Sequence, residues 1–133
     1  MPVKDSLGDR MKEWYEDRFR YELVRRTYTL LRADGKAFHT YCRGLKRPFD
    51  TEFMEDMDAA AAALCSSIMG AKLAYVQSDE ISVLVTDFEE ENTQSWFDSN
   101  LQKMCSVSAS TATRAFNEAR FKRWMGFMTT EEF

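Results

Sequence analysis

The chain has 133 residues, 44% hydrophobic and 30% charged, which is enough apolar mass for one compact core and too much for a disordered tail. Its formal net charge of −4 excludes a surface that coats phosphates everywhere, but leaves room for a local basic strip. Cys42, Cys65 and Cys105 form no C-x-x-C pair, so neither a disulfide framework nor a zinc site is expected and a reducing cytoplasm fits best.

The first residues mix acids and bases without an apolar run, so no signal peptide is read there. The longest weakly polar stretch, Ala59 to Cys65, is far too short to span a bilayer. From about Ser6 to Tyr21, Met11, Trp14, Tyr15, Arg18 and Phe19 recur at helical spacing and predict an amphipathic helix. Thr27 to Ala33 reads as a strand ending at an Asp34-Gly35 turn. Beyond Pro48, Asp50 is a plausible N-cap. Phe53, Met57, Ala60, Leu64 and Ile68 then form the inward stripe of a helix that stops near Gly70. Lys72 to Gln77 and Ile81 to Thr86 read as two strands of a hairpin, joined by Ser78-Asp79-Glu80. An acidic loop, Asp87 to Asn92, leads to a long helix from about Ser95 to Arg120. Ser95 with Asp98 suggests its capping box, and Phe97, Leu101, Met104, Ser108, Ala112 and Ala115 its inner face. Trp124, Phe127 and Met128 continue at helical spacing, and no strand follows.

The fold class is therefore α+β, a helix followed by βαββα. One further strand would complete a ferredoxin-like βαββαβ unit. A βαβ crossover makes the first two strands parallel, with the hairpin's second strand between them. Asp34 closes the first strand, and Asp79 and Glu80 lie in the turn that closes the second. These carboxylates, 45 residues apart, are thus expected at one edge of the sheet. Oxygen-only ligands there suit Mg²⁺, and a pair of such ions suits phosphoryl transfer. Taken alone, Asp-Gly and Ser-Asp-Glu also read as ordinary turns.

The run Arg32-Ala33-Asp34-Gly35-Lys36-Ala37-Phe38-His39 resembles the Arg-x-Asp-Gly-x-x-Phe-His signature of the tRNA-His guanylyltransferase family of 3′–5′ RNA polymerases. Ala74-Tyr75-Val76-Gln77-Ser78-Asp79-Glu80 is similar to its second motif, and Arg47-Pro48 with Asp50 to its basic-Pro-x-Asp element. Asn100 to Lys103 and Ser106 to Phe116 resemble its next helix. The resemblance covers about 27–117 and implies a polymerase palm. The whole chain then reads as one palm domain: an N-terminal helix within 1–24, a core at 27–120, and a C-terminal truncation that leaves out the last strand.

The same resemblance implies magnesium-dependent nucleotidyl transfer to the 5′ end of tRNA, either guanosine addition or end repair, with GTP and ATP as substrates and two Mg²⁺ ions. Asp34, Asp79 and the Gly35 carbonyl would hold the metals, and Glu80 would shape their site. Ser78 and Arg47 or Lys46 would contact the activating nucleotide. Lys36, Phe38 and His39 would line the nucleotide pocket, and Lys103 would face a triphosphate. Full-length members imply a homo-oligomer, a tetramer. Two rival readings stay open: a palm fragment that binds nucleotide or RNA without turnover, and another palm enzyme such as a cyclase. Arg114, Arg120, Lys122 and Arg123 read either as cations complementing a helix C-terminus or as contacts to RNA phosphates.

Overall fold

The computed structural model describes residues 6–130, with side chains through 127. It opens with α1 (Ser6–Met11), a π-helical stretch Lys12–Glu16 and a 3-10 turn Asp17–Phe19. The expected helix is thus present, but its turns are uneven and none of its residues is buried. Trp14, Tyr15 and Phe19 are 51%, 60% and 78% exposed, so their stripe is not a core face.

The next residues strap the molecule. Leu23 N donates to Ser99 O at 2.9 Å, and Leu101 N donates to Tyr21 O at 2.9 Å. Arg25 reaches Asp87 at 2.5 Å and the Thr93 carbonyl at 2.8 Å, while Arg26 N donates to Asp87 at 2.8 Å. These arginines anchor the acidic loop.

The core follows as β1 (Thr29–Asp34), a short α2 (Phe38–Tyr41), α3 (Thr51–Ser67), β2 (Ala71–Gln77), β3 (Glu80–Val85) and α4 (Leu101–Thr130). The sheet order is β1-β3-β2 with antiparallel neighbours, so β1 and β2 run parallel on either side of β3. This is the split βαβ arrangement expected from the sequence; among the described residues the sheet has three strands.

The two periodicities build one core. On β3 the alternate residues Ile81, Val83 and Val85 are buried. On α3 the stripe Phe53, Met57, Ala60 and Leu64 faces them, followed by Ile68. Burying a side chain such as Leu64 or Val83 contributes about 1.5–3 kcal/mol relative to exposure. Helix α3 lies on β2 and β3, α4 lies on β1, and the helices pack on each other. The other face of the sheet stays open, with Leu30, Leu73 and Tyr75 all more than half exposed. Asp50 caps α3 as expected, accepting from Phe53 N at 2.9 Å and Lys46 N at 3.1 Å. Gly70 turns the chain into β2 at φ +84°, where a Cβ would lie 2.1 Å from the Thr86 carbonyl oxygen.

Two expectations are corrected. Helix α4 does not begin at a Ser95 capping box. Phe97, Asp98 and Ser99 adopt left-handed backbone, and Asn100 Oδ1 caps the helix by accepting from Lys103 N at 3.0 Å. The basic residues 114–123 are not a helix end either, because α4 continues to Thr130. Arg120 Nε lies 2.7 Å from Asp56 Oδ2, and Arg123 Nη2 lies 2.9 Å from Asp56 Oδ1. Arg123 also pairs with Glu55 at 2.9 Å, while Arg114 and Lys122 pair with Glu118 at 2.7 and 2.8 Å. Asp56 is fully buried, so this network clamps α3 to α4. The Arg120–Asp56 contact is close but falls short of hydrogen-bond geometry, so it acts by charge. On Arg123 the Asp56 hydrogen bond raises an already high pKa.

Candidate active site

The site is built where β1 and the β2–β3 hairpin end together. Asp34 and Glu80 are register partners, as are Gln77 and Glu80, which leaves Ser78-Asp79 as a two-residue turn. Gly35 N donates to the Asp79 carbonyl at 3.0 Å, tying the residue after one carboxylate to the backbone of the other. The expected meeting of Asp34 with Asp79 and Glu80 is therefore present. Glu80 also lies 3.7 Å from Arg32.

Local chemistry explains the turns. A Cβ on Gly35 would fall 1.8 Å from the Phe38 ring, so only glycine lets that ring lie on the backbone. Phe38 packs against Tyr41, Phe53 and Phe116 at 5.1, 6.0 and 5.5 Å, fixing α2 over both long helices. Ser78 sits at φ +55°, a backbone usually left to Gly or Asn in a hairpin turn. A non-glycine residue there costs about 1–2 kcal/mol.

Three cavities surround the edge. One of about 300 Å³ lies between the sheet, α2, α3 and α4, and is bordered by Gly35, Lys36, Phe38 and Asp79. A second, about 180 Å³, lies beside Asp34, with Arg32, Cys105, Ser108 and Thr113. The third, about 440 Å³, lies between Ser78, Gln77, Pro48, Asp50 and Met54. The first two share Ala33, Ala112 and Thr113, so Asp34 and Asp79 stand at adjoining openings.

Asp50 is held below the usual carboxylate range by the Phe53 and Lys46 backbone N–H groups. Burial pushes the Cys42 thiol up, and the negative charges of Asp79 and Asp50 add to that. Cys42 therefore lies within the field of both the hairpin turn and the α3 cap.

The other expected residues divide. Lys36 and Phe38 border the Asp79 cavity, and Ser78 shares a cavity with the Pro48–Asp50 segment that Lys46 and Arg47 precede. His39 is exposed on α2 and borders none of the three cavities. Lys103 lies at the start of α4 with Nζ 5.9 Å from the Phe97 ring centroid, and it borders none of them either. The sequence reading missed Tyr41, Thr113 and Asn117. The last two follow Ala109 at successive four-residue steps on α4, beside the stripe that reaches Ala112 and Phe116, and a helical wheel would have placed them at the rim.

Asp34, Asp79 and the Gly35 carbonyl offer hard oxygen donors, a set that suits Mg²⁺ completed by water and phosphate oxygens. Among the described residues no three His, Cys, Asp or Glu side chains converge as a closed metal cage.

A family model described as tRNAHis guanylyltransferase matches residues 8–131. The chain belongs to that family. This tRNA-His guanylyltransferase family chain is similar to a bacterial tRNA(His) guanylyltransferase (Thg1)-like protein solved with ATP: 49% identity, TM-score 0.83, covering 90% of this chain and 52% of that one. A structure of a bacterial Thg1-like protein solved with GTP gives 51% identity and TM-score 0.80, covering 86% and 54%. The tRNA(His) guanylyltransferase of Schizosaccharomyces pombe is 37% identical over 62 residues, 45% of this chain and 24% of that protein. The Saccharomyces cerevisiae enzyme, at 22% identity and TM-score 0.63 over 77% of this chain and 44% of that one, shares the fold. The guanylyltransferase family chain thus spans about half the length of the bacterial relatives it matches.

Proposed function

We propose that this chain carries the catalytic palm of a nucleotidyltransferase that adds guanosine or another nucleotide to the 5′ end of tRNA in the 3′–5′ direction. The observation that carries the reading is the Asp34–Glu80 register with the Gly35–Asp79 backbone bond, which brings two sequence-distant carboxylates to one sheet edge. Its family membership and the ATP and GTP complexes of its bacterial relatives support the substrate class.

In this reading Asp34, Asp79 and the Gly35 carbonyl would hold magnesium. Two such ions, when bound, neutralise the charge that develops on the attacking and leaving oxygens of phosphoryl transfer. The chain's own groups do the rest. Lys36 borders the same cavity as Asp79 and, in this reading, binds a phosphate. Ser78 and the Lys46-Arg47 segment hold the nucleotide that activates a monophosphate end. The 3′-hydroxyl of the incoming nucleotide attacks the α-phosphorus of the activated 5′ end. One P–O bond forms, the bond to the leaving phosphate breaks, and the hydroxyl proton is released. In this reading the Gly35–Asp79 backbone hydrogen bond and the packing of the Phe38 ring on Gly35 hold the turn that carries these groups.

The reading extends to a homo-oligomer, as the family resemblance implies, and to the cytoplasm, supported by three free cysteines. No helix among the described residues is long and apolar enough to cross a membrane.

The test is Mg²⁺-dependent incorporation of labelled GTP into a 5′-triphosphorylated tRNA lacking its first nucleotide, a substrate that needs no activation. The parent incorporates label, and Asp34→Asn and Asp79→Asn each lose at least a hundredfold. Binding of Mg²⁺ and GTP without incorporation would support the binding-fragment alternative. Pyrophosphate release without RNA would support a cyclase.

A further inference from the structure

A small cavity of about 10 Å³ lies where Thr29 of β1 pairs with Val85 of β3, at the opposite end of the sheet from Asp34 and Glu80. We propose that it holds one ordered water molecule, bound by the Ser95 hydroxyl, that joins the strap, the end of the sheet and the turn leading into α4. The site is independent of the nucleotidyltransferase reading.

Three observations carry the proposal. First, Ser95 is 9% exposed, and its Oγ has no hydrogen-bond partner among the described residues. Ser95 precedes the 3-10 turn Trp96–Ser99, yet its side chain makes no capping bond, so the hydroxyl is not spent on a helix end. A buried hydroxyl without a partner is costly, and a water supplies both a donor and an acceptor. Second, the wall is polar. Thr86, Asp87, Ser95 and Ser99, all buried, border the cavity with Thr27 and Thr29. Internal waters occupy polar gaps of this kind, whereas apolar gaps stay dry. The Thr27 hydroxyl donates to the Val24 carbonyl at 3.0 Å and the Thr86 hydroxyl to Glu89, so both oxygens keep lone pairs that can accept. Asp87 is already paired with Arg25, so its charge is matched and a neutral ligand fits better than a cation. Third, the size fits. The volume stands at the lower end of the ~10–15 Å³ that one water needs, and it leaves no room for a larger ligand. The wall is drawn from the strap at Val24 and Thr27, from the ends of β1 and β3, and from Ser95 to Ser99. One water bonded to Ser95 and to any of the others therefore links segments that are distant in sequence.

The test pairs crystal structures of the parent and of Ser95→Ala, at a resolution that shows waters, with their melting temperatures. The parent should show one water within about 3.2 Å of Ser95 Oγ and of a second polar group of the wall. Ser95→Ala should show no water there, and its melting temperature should fall by about 3–5 °C, the size of one lost hydrogen bond in a domain of this length. The extended backbone at Ser95 suits alanine equally well, so strain does not contribute to the fall. A dry gap predicts the opposite sign, because the variant then removes a buried hydroxyl that had no partner. The proposal is overturned by a parent with no water in reach of Ser95 Oγ, or by a variant that melts at or above the parent. A water that stays in place in Ser95→Ala also overturns it, since other groups then hold that water.

Discussion

Replacing Asp56 by alanine should cost this domain much of its stability. The carboxylate is fully buried and receives Arg120 at 2.7 Å and Arg123 at 2.9 Å, both from α4. Removing it leaves two guanidiniums facing an apolar gap between the helices. Breaking a buried ion pair from one side costs about 3–5 kcal/mol. The two arginines are 28% and 24% exposed, so water relieves part of the loss and the lower end, about 3 kcal/mol, is expected. A domain of this size has a total stability of about 5–15 kcal/mol, so the variant loses a substantial share of it. Urea unfolding followed by circular dichroism gives the midpoint and slope, and the melting temperature should fall by roughly 10–15 °C. Glu55→Ala removes only the exposed partner of Arg123 and should change stability by about 0–1 kcal/mol. A loss below about 1 kcal/mol for Asp56→Ala, at unchanged slope, would refute the reasoning that this carboxylate clamps α3 to α4.

Gly35→Ala drives a methyl into the Phe38 ring; activity should fall at least tenfold, and a fluorescence or NMR signature of displaced aromatics should accompany the loss. Ser78→Gly relieves a left-handed serine, so thermal unfolding should show stability held or raised by up to about 1 kcal/mol, while the activation step with a 5′-monophosphate RNA slows. Asn100→Ala removes the α4 cap and should cost about 1 kcal/mol by urea unfolding. Glu89, hydrogen-bonded by Lys72 and Thr86, has its pKa lowered from 4.5 to about 2. Its stabilisation is therefore present above pH 4.5 and lost as the pH falls through about 2, so Glu89→Gln should flatten the stability profile across that window.

Much of the palm was legible because it rests on local periodicity and on one topological rule. Phe53 to Ile68 and Ile81 to Val85 show clean periods of 3.6 and 2, and every residue of those two inward stripes is buried. The βαβ crossover makes β1 and β2 parallel, which brings Asp34 and Asp79 to one edge. What the sequence hid depends on distant partners. The start of α4 was misplaced because the Tyr21–Leu23 strap bonds to Ser99 and Leu101 and bends 97–99 into left-handed backbone that no local signal announces. The roles of Arg120 and Arg123 follow from where α3 crosses α4, which a one-dimensional reading does not supply. The amphipathic stripe of Met11, Trp14 and Phe19 lies exposed, because amphipathicity records a preference for burial and not the presence of a partner.

The most direct test of the central claim is to count the metal ions held by the two carboxylates. Mn²⁺ can be titrated into the protein with GTP present and followed by the paramagnetic signal of the free ion. The account predicts two ions bound per chain with GTP, and near-complete loss of both in the Asp34→Asn, Asp79→Asn double variant. Unchanged Mn²⁺ binding in that variant would contradict it, and would leave the meeting of Asp34 and Asp79 as a turn without chemistry.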